Sequence, residues 1–245
     1  MTGGYLDFQV RNVLSRPIRA FDQYVFRDLI RRFDGLGYQA HQIAEEHYER
    51  AASRPAGEDT DVDLGACAED AQDRALGWFE MMRSLHQTML NLLASGLFHL
   101  VEQQLAKLSH DASFLGCEGP KGTDLGNVAA WYKSRFRLDL HGLPSWGLID
   151  ELRLVANTVK HGEGASSRKL KDRRPEIFRS TVFADYGDDD VELQDKLYLE
   201  ETTRAPLAGE GFFVSEALLK EYAEGADRFF IEIADHFAAH ERDPY

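Results

Sequence analysis

The chain has little of what marks many enzyme classes. It holds two cysteines, Cys67 and Cys117, 50 positions apart and with no CxxC spacing. They fit a reducing cytoplasm and no metal knuckle. No apolar run reaches the roughly 18–20 residues a bilayer-spanning helix needs. The longest candidate, 89–105, is interrupted by Asn91, His99, Glu102, Gln103 and Gln104. The N-terminus, MTGGYLDFQVRN, lacks the basic and then apolar regions of a signal peptide. A cytoplasmic protein without membrane contact is therefore expected.

Several motifs are missing as well. The glycine-rich stretch SFLGCEGPKGTDLG (113–126) carries no GKS or GKT, so it is no phosphate loop. DYGDDD (185–190) lacks the spaced ligands and closing glutamate of a calcium loop. There is no HExxH, no Rossmann glycine pattern and no hydrolase elbow. No cofactor is implied. Positive charge is also scarce: the net charge of −14 repels phosphate on average and argues against non-specific coating of nucleic acid.

What is present is helical periodicity over 245 residues, enough for one large domain spanning 1–245. A hydrophobic content of 43% excludes wholesale disorder. Residues 1–14 read as extended or as a first helical turn. Pro17 suits a first helical turn, and 18–53 is helical with a break at Gly35 or Gly37. A polar linker, SRPAGEDTDVDLG (53–65), follows. Segment 66–109 places Ala75, Phe79, Met82, Met89, Leu93, Leu97, Leu100, Val101, Leu105 and Leu108 on one face, the pattern of a long bundle spine. Shorter helices are expected over 127–138, from Trp146 to His161, and as a basic helix capped by Ser166 or Ser167. Segments 180–184 and 196–199 have strand-like composition and suit a small hairpin within 180–214. A final helix, capped by Ser215, runs over 215–240. The fold class is mostly all-α: a helical bundle built on a long central helix, with a small β-hairpin elaboration near the C-terminus.

The stretch WGLIDELRLVANTVKHGEG (146–164) carries the main polar constellation. Leu148, Leu152, Val155 and Val159 form its apolar stripe. Ser145 is the candidate N-cap and Gly162 the candidate C-terminal stop. Arg153, Asn157 and His161, four apart, rise along one strip, with Lys160 beside them. Metal-free cleavage of RNA needs a proton acceptor for the 2′-hydroxyl, a donor for the leaving oxygen and a cation for the phosphorane. Histidine serves the first two. Arginine serves the third, and asparagine can orient either group. Ordinary helix-end chemistry gives a His before a terminal Gly as well.

From Arg153 to Arg179 eight Lys/Arg face three acids, a local balance of +5. Arg168, Lys169, Lys171, Arg173 and Arg174 form either an anion-binding surface or a solvated face balanced by acids elsewhere. His236 and His240, an i, i+4 pair, suit a metal or simply a helix C-terminus, and no third ligand is evident. Glu102, in an apolar run, calls for a basic partner, and Arg153 is one candidate.

The residues ELRLVANTVKHGEG (151–164), preceded by a long helix carrying LFHLVEQQL (97–105), resemble the HEPN superfamily of small helical proteins. Many of its members are metal-independent ribonucleases of toxin–antitoxin and anti-phage systems. The resemblance implies Arg153, Asn157 and His161 as catalytic residues. Lys160, Arg168, Lys169, Lys171, Arg173 and Arg174 would bind the RNA backbone. It further implies a homodimer whose two motifs share one cleft, and an antitoxin or defence-system partner protein. Seven residues separate Arg153 from His161 and Leu154 follows the arginine, both departures from the family pattern. The alternative is a non-catalytic helical module that binds a partner protein, RNA or nucleotide through the same dimer surface.

Overall fold

Helix is the only regular secondary structure among the described residues, as the composition implies. The computed structural model describes residues 3–53, 62–114, 118–179 and 211–240. The expected hairpin strands, the DYGDDD turn and Cys117 lie outside them. No described helix is long and apolar enough to cross a membrane. The chain divides into two compact units: Met1–Val25 with Leu90–Tyr245, here the main unit, and Phe26–Met89, here the hairpin unit. The expected core, 66–164, contributes to both.

The main unit begins with α1 (Gly3–Gln9), a π-helical turn (Val10–Leu14) and α2 (Arg16–Tyr24), where Pro17 sits in the first turn. Leu6, Val10, Leu14 and Ile18 are all buried. A strict spacing of four drifts by about 40° per step around an α-helix. The wider turn takes up part of that drift, and the Ser15 N–H accordingly donates to the Val10 carbonyl at 3.0 Å. This resolves the ambiguity in favour of helix over residues 3–14.

The last helix, α8 (Glu216–Ala239), begins where expected: the Ser215 hydroxyl accepts from the Leu218 N–H at 3.1 Å. Helices α1, α2 and α6 (Trp146–His161) all pack against it. Tyr222, Phe229, Phe230, Ile233 and Phe237 supply its buried face. Phe237 meets Phe136 of α5 (Leu125–Phe136) edge to face at 5.1 Å. Gly225 lets α6 approach closely, since a Cβ there would lie 2.8 Å from Leu148 Cδ1. Buried Asn91 holds the segment before α8. Its amide donates to the Phe212 carbonyl at 2.7 Å and its carbonyl accepts from the Val214 N–H at 3.1 Å.

The hairpin unit joins a π-helical turn (Val25–Leu29) from Phe26 onward, a 3₁₀ turn (Ile30–Phe33), α3 (Leu36–Ala52) and the first half of α4 (Leu64–Phe114). Gly35, with φ of +71°, breaks the helix before α3, whereas Gly37 lies inside it. Phe33, just before α3, stacks on His86 of α4 at 4.7 Å. Helix α4 continues through Gly96 without interruption.

Candidate functional site

Helix α6 is buried almost all round. From Ile149 onward only Asp150, Arg153, Asn157, Lys160 and His161 escape burial, and their spacing places them on one strip. The sequence predicted this strip except for Asp150. The apolar surface is wider than the predicted stripe, since Ile149, Leu154 and Ala156 are buried as well and Leu148 is half-buried. Lys160 and His161 are exposed at the helix end. Gly162 closes the helix with φ +68° and ψ −138°, a conformation that suits glycine, while its N–H reaches the Thr158 carbonyl at 2.8 Å.

The N-terminal expectation is corrected. Ser145 adopts helical dihedrals and makes no cap; its hydroxyl donates to Glu232 Oε1 at 2.7 Å and its N–H donates to Oε2 at 3.1 Å. The carboxylate of α8 therefore takes both donors and pins the start of α6. The basic helix, α7 (Ala165–Arg173), likewise starts from Gly164, with no serine cap.

The arginines are not idle. Arg153 donates to Asp150 Oδ1 through Nε at 3.1 Å and Nη2 at 2.7 Å, and Arg173 Nη2 lies 2.8 Å from Asp150 Oδ2. Burial alone would raise the Asp150 carboxyl, but the two guanidinium groups outweigh it and hold it below the ordinary carboxylate range. On the next residue, buried Glu151 Oε1 accepts from Arg174 Nε and from the Tyr222 hydroxyl, each at 2.8 Å. Arg174 also reaches Glu221 at 2.9 Å. Burial, with Glu151 beside it, drives the Tyr222 hydroxyl well above its ordinary range, so it stays a donor. Arg174 thus lies in a ring of carboxylates. Arg168, Lys169 and Lys171 are exposed, and Lys171 lies over the Phe178 ring at 6.0 Å.

Glu151 and Asp150 are the carboxylates of this region that the sequence reading missed. The signal was available for Glu151: a carboxylate beside Leu152, on the buried side of an amphipathic helix, requires a cation or a hydroxyl. Glu102 pairs with His99, Oε2 to Nδ1 at 3.3 Å, and not with Arg153. Burial is the chief influence on Glu102 and raises its carboxyl; His99 and Lys160 pull the other way, and Asp124 adds to the rise. These charges place the end of α6 in the same polar corner as α4 and the Asp124 cap of α5.

His236 and His240 both have ring nitrogens committed to backbone. His236 Nε2 donates to the Phe136 carbonyl at 2.9 Å, and His240 Nδ1 donates to the His236 carbonyl at 2.8 Å. Among the described residues no group of three His, Cys, Asp or Glu is placed to hold a metal. Searches against protein families, curated proteins and solved structures return no match for this chain.

Proposed function

We propose that the protein is a HEPN-like, metal-independent endoribonuclease of bacterial anti-phage defence or toxin–antitoxin growth control, with the end of α6 as its active site. One observation carries this reading: from Ile149 onward, a helix otherwise enclosed leaves open a single strip that ends on exposed Lys160 and His161. His161 takes the proton of the RNA 2′-hydroxyl. The freed oxygen attacks phosphorus, the bond to the 5′-oxygen breaks, and that oxygen leaves with a proton from an imidazolium. The products are a 2′,3′-cyclic phosphate and a 5′-hydroxyl. In the homodimer implied by the resemblance, two copies of His161 share one cleft, one accepting and one donating. Asn157 orients the imidazole or a phosphate oxygen. Lys160 supplies positive charge, and Arg153 reaches phosphate by leaving Asp150. Arg168, Lys169 and Lys171 guide the backbone.

The test is cleavage of structured and unstructured RNA by purified protein in EDTA. His161→Ala is expected to lower the rate by at least ~100-fold, with unchanged circular dichroism. Cleavage by the variant at the wild-type rate sinks the assignment.

A second reading has an observation of its own. Arg153, Arg173 and Arg174 already face Asp150, Glu151 and Glu221, which competes with phosphate binding. A non-catalytic module binding a partner protein, RNA or nucleotide would tolerate that. It predicts no cleavage at any protein concentration, and binding that survives His161→Ala.

A further inference from the structure

Two arginines from different helices converge on one carboxylate. Asp150 and Arg153 are three apart on α6 and share a face of it. Arg173 arrives from the last turn of α7. Arg153 holds Asp150 Oδ1 at 2.7 Å and Arg173 holds Oδ2 at 2.8 Å. The carboxylate side chain is 19% exposed, those of Arg153 and Arg173 33% and 45%. Among the described residues neither arginine has another ion-pair partner. The neighbouring Arg174 is fixed by Glu151 at 2.8 Å and Glu221 at 2.9 Å. The end of α7 is therefore anchored independently of Asp150, and Arg173 stays beside α6 if that carboxylate swings away.

A fork of this kind suits an anion, because guanidinium groups match carboxylate and phosphate oxygens alike. In the free protein Asp150 is that anion. A ligand has to displace it, and charge decides which ligand can. A phosphodiester brings the same single charge as the carboxylate and gains little from the exchange. A phosphomonoester carries about −1.5 to −2 at pH 7 and three strong acceptor oxygens, so it outcompetes the carboxylate where a diester does not. Arg153 precedes His161 by eight residues, about 12 Å along the helix. An RNA end docked at the fork therefore extends along the open strip, past Asn157, to Lys160 and His161.

We propose that Arg153 and Arg173 form a docking site for the phosphomonoester at the end of an RNA chain, kept shut in the free protein by Asp150. The proposal rests on reading the α6 strip as an RNA site, but not on cleavage. Titration calorimetry of the full chain with a short 2′-O-methyl RNA tests it, since that RNA lacks the hydroxyl that cleavage needs. The same sequence is compared with a 5′-phosphate, with a 3′-phosphate and with neither. Wild type is expected to bind one phosphorylated form at least ~10-fold more tightly than the unmodified form, as charge-assisted hydrogen bonds allow. Asp150→Asn keeps the shape and removes the competing charge. It should tighten binding of the unmodified form by at least ~10-fold and narrow the difference, where a purely structural ion pair would give weaker binding or none. Arg173→Gln should abolish the preference. Adenosine 5′-monophosphate, titrated alone, separates a free nucleotide from an RNA end. A wild type indifferent to end phosphates, a folded Asp150→Asn protein that binds the unmodified form no better, or adenosine 5′-monophosphate bound as tightly as the phosphorylated RNA overturns the proposal. The first comparison needs no variant, so it decides even if Asp150→Asn does not fold. Cleavage in EDTA by a protein with no end preference would sink this proposal and keep the ribonuclease reading; an end preference without cleavage would do the reverse.

Discussion

Among the described residues, 39 of the 43 buried apolar side chains belong to the main unit and four to the hairpin unit: Ile30, Leu36, Ala71 and Ala75. Of the 11 large apolar side chains that are exposed, seven lie in the hairpin unit. Helix α4 takes part in both. Its second half buries Leu90, Ala94, Leu97, Phe98, Val101, Leu105 and Leu108, while its first half buries only two alanines. The same amphipathic pattern thus meets many partners in one region and few in the other. Burial of apolar area drives folding, so the main unit holds most of the chain's stability.

The largest expected effect tests that division directly. Phe237→Ala removes a fully buried ring from the contact with Phe136 and should cost about 3–5 kcal/mol. Leu85→Ala, at an exposed position, should cost less than ~0.5 kcal/mol, as exposed substitutions do. Urea denaturation followed by circular dichroism measures both. Equal costs would mean that the hairpin unit has a core as demanding as the main unit's, and the contrast would fail.

Polar groups sharpen the same comparison. Glu151 is buried with Arg174 and Tyr222, whereas Asp70 and Arg74 in the hairpin unit form an exposed i, i+4 pair at 2.9 Å. Removing one partner of a buried pair strands the other's charge; Glu151→Ala should cost about 3 kcal/mol. Asp70→Ala should cost at most ~0.5 kcal/mol. The same denaturation experiment reads both, and a cost at Glu151 as small as that at Asp70 would show its network to be a surface ion pair.

The helices were legible in the sequence because periodicity and capping are local. The 3.6-residue pattern of α6 and α8, the Ser215 cap and the glycine stop at Gly162 all follow from neighbours within a turn. The π-helical turn at Val10–Leu14 was not, because it serves a stripe whose partner, α8, lies some 200 residues away. Ser145 was misjudged for a similar reason: its natural partner was the first turn of its own helix, and Glu232 of α8 outcompetes it. Periodicity identified the open strip of α6 but not the carboxylates that hold its arginines. A cation's partner is set by tertiary proximity: Asp150 shares Arg153's helix, yet Arg173 arrives from α7. The same limit applies to α4, whose apolar face reads alike where it is covered and where it is open.

The smallest expected effect concerns Glu102, in the covered half of α4. Burial raises its carboxyl, and His99 and Lys160 offset only part of the rise. A carboxyl whose folded-state pKa is raised binds its proton more readily in the fold than in the unfolded chain. Ionising it therefore costs stability at pH 8, and that cost fades as pH falls through the raised pKa. Glu102→Gln removes the charge but keeps the shape. The variant should be slightly more stable than wild type at pH 8, by no more than ~0.5 kcal/mol given the carboxylate's partial exposure. The two curves should converge toward pH 4. Thermal melts across that range measure the difference. A variant less stable than wild type at pH 8 would mean that the His99 contact and the Lys160 charge together outweigh burial at Glu102.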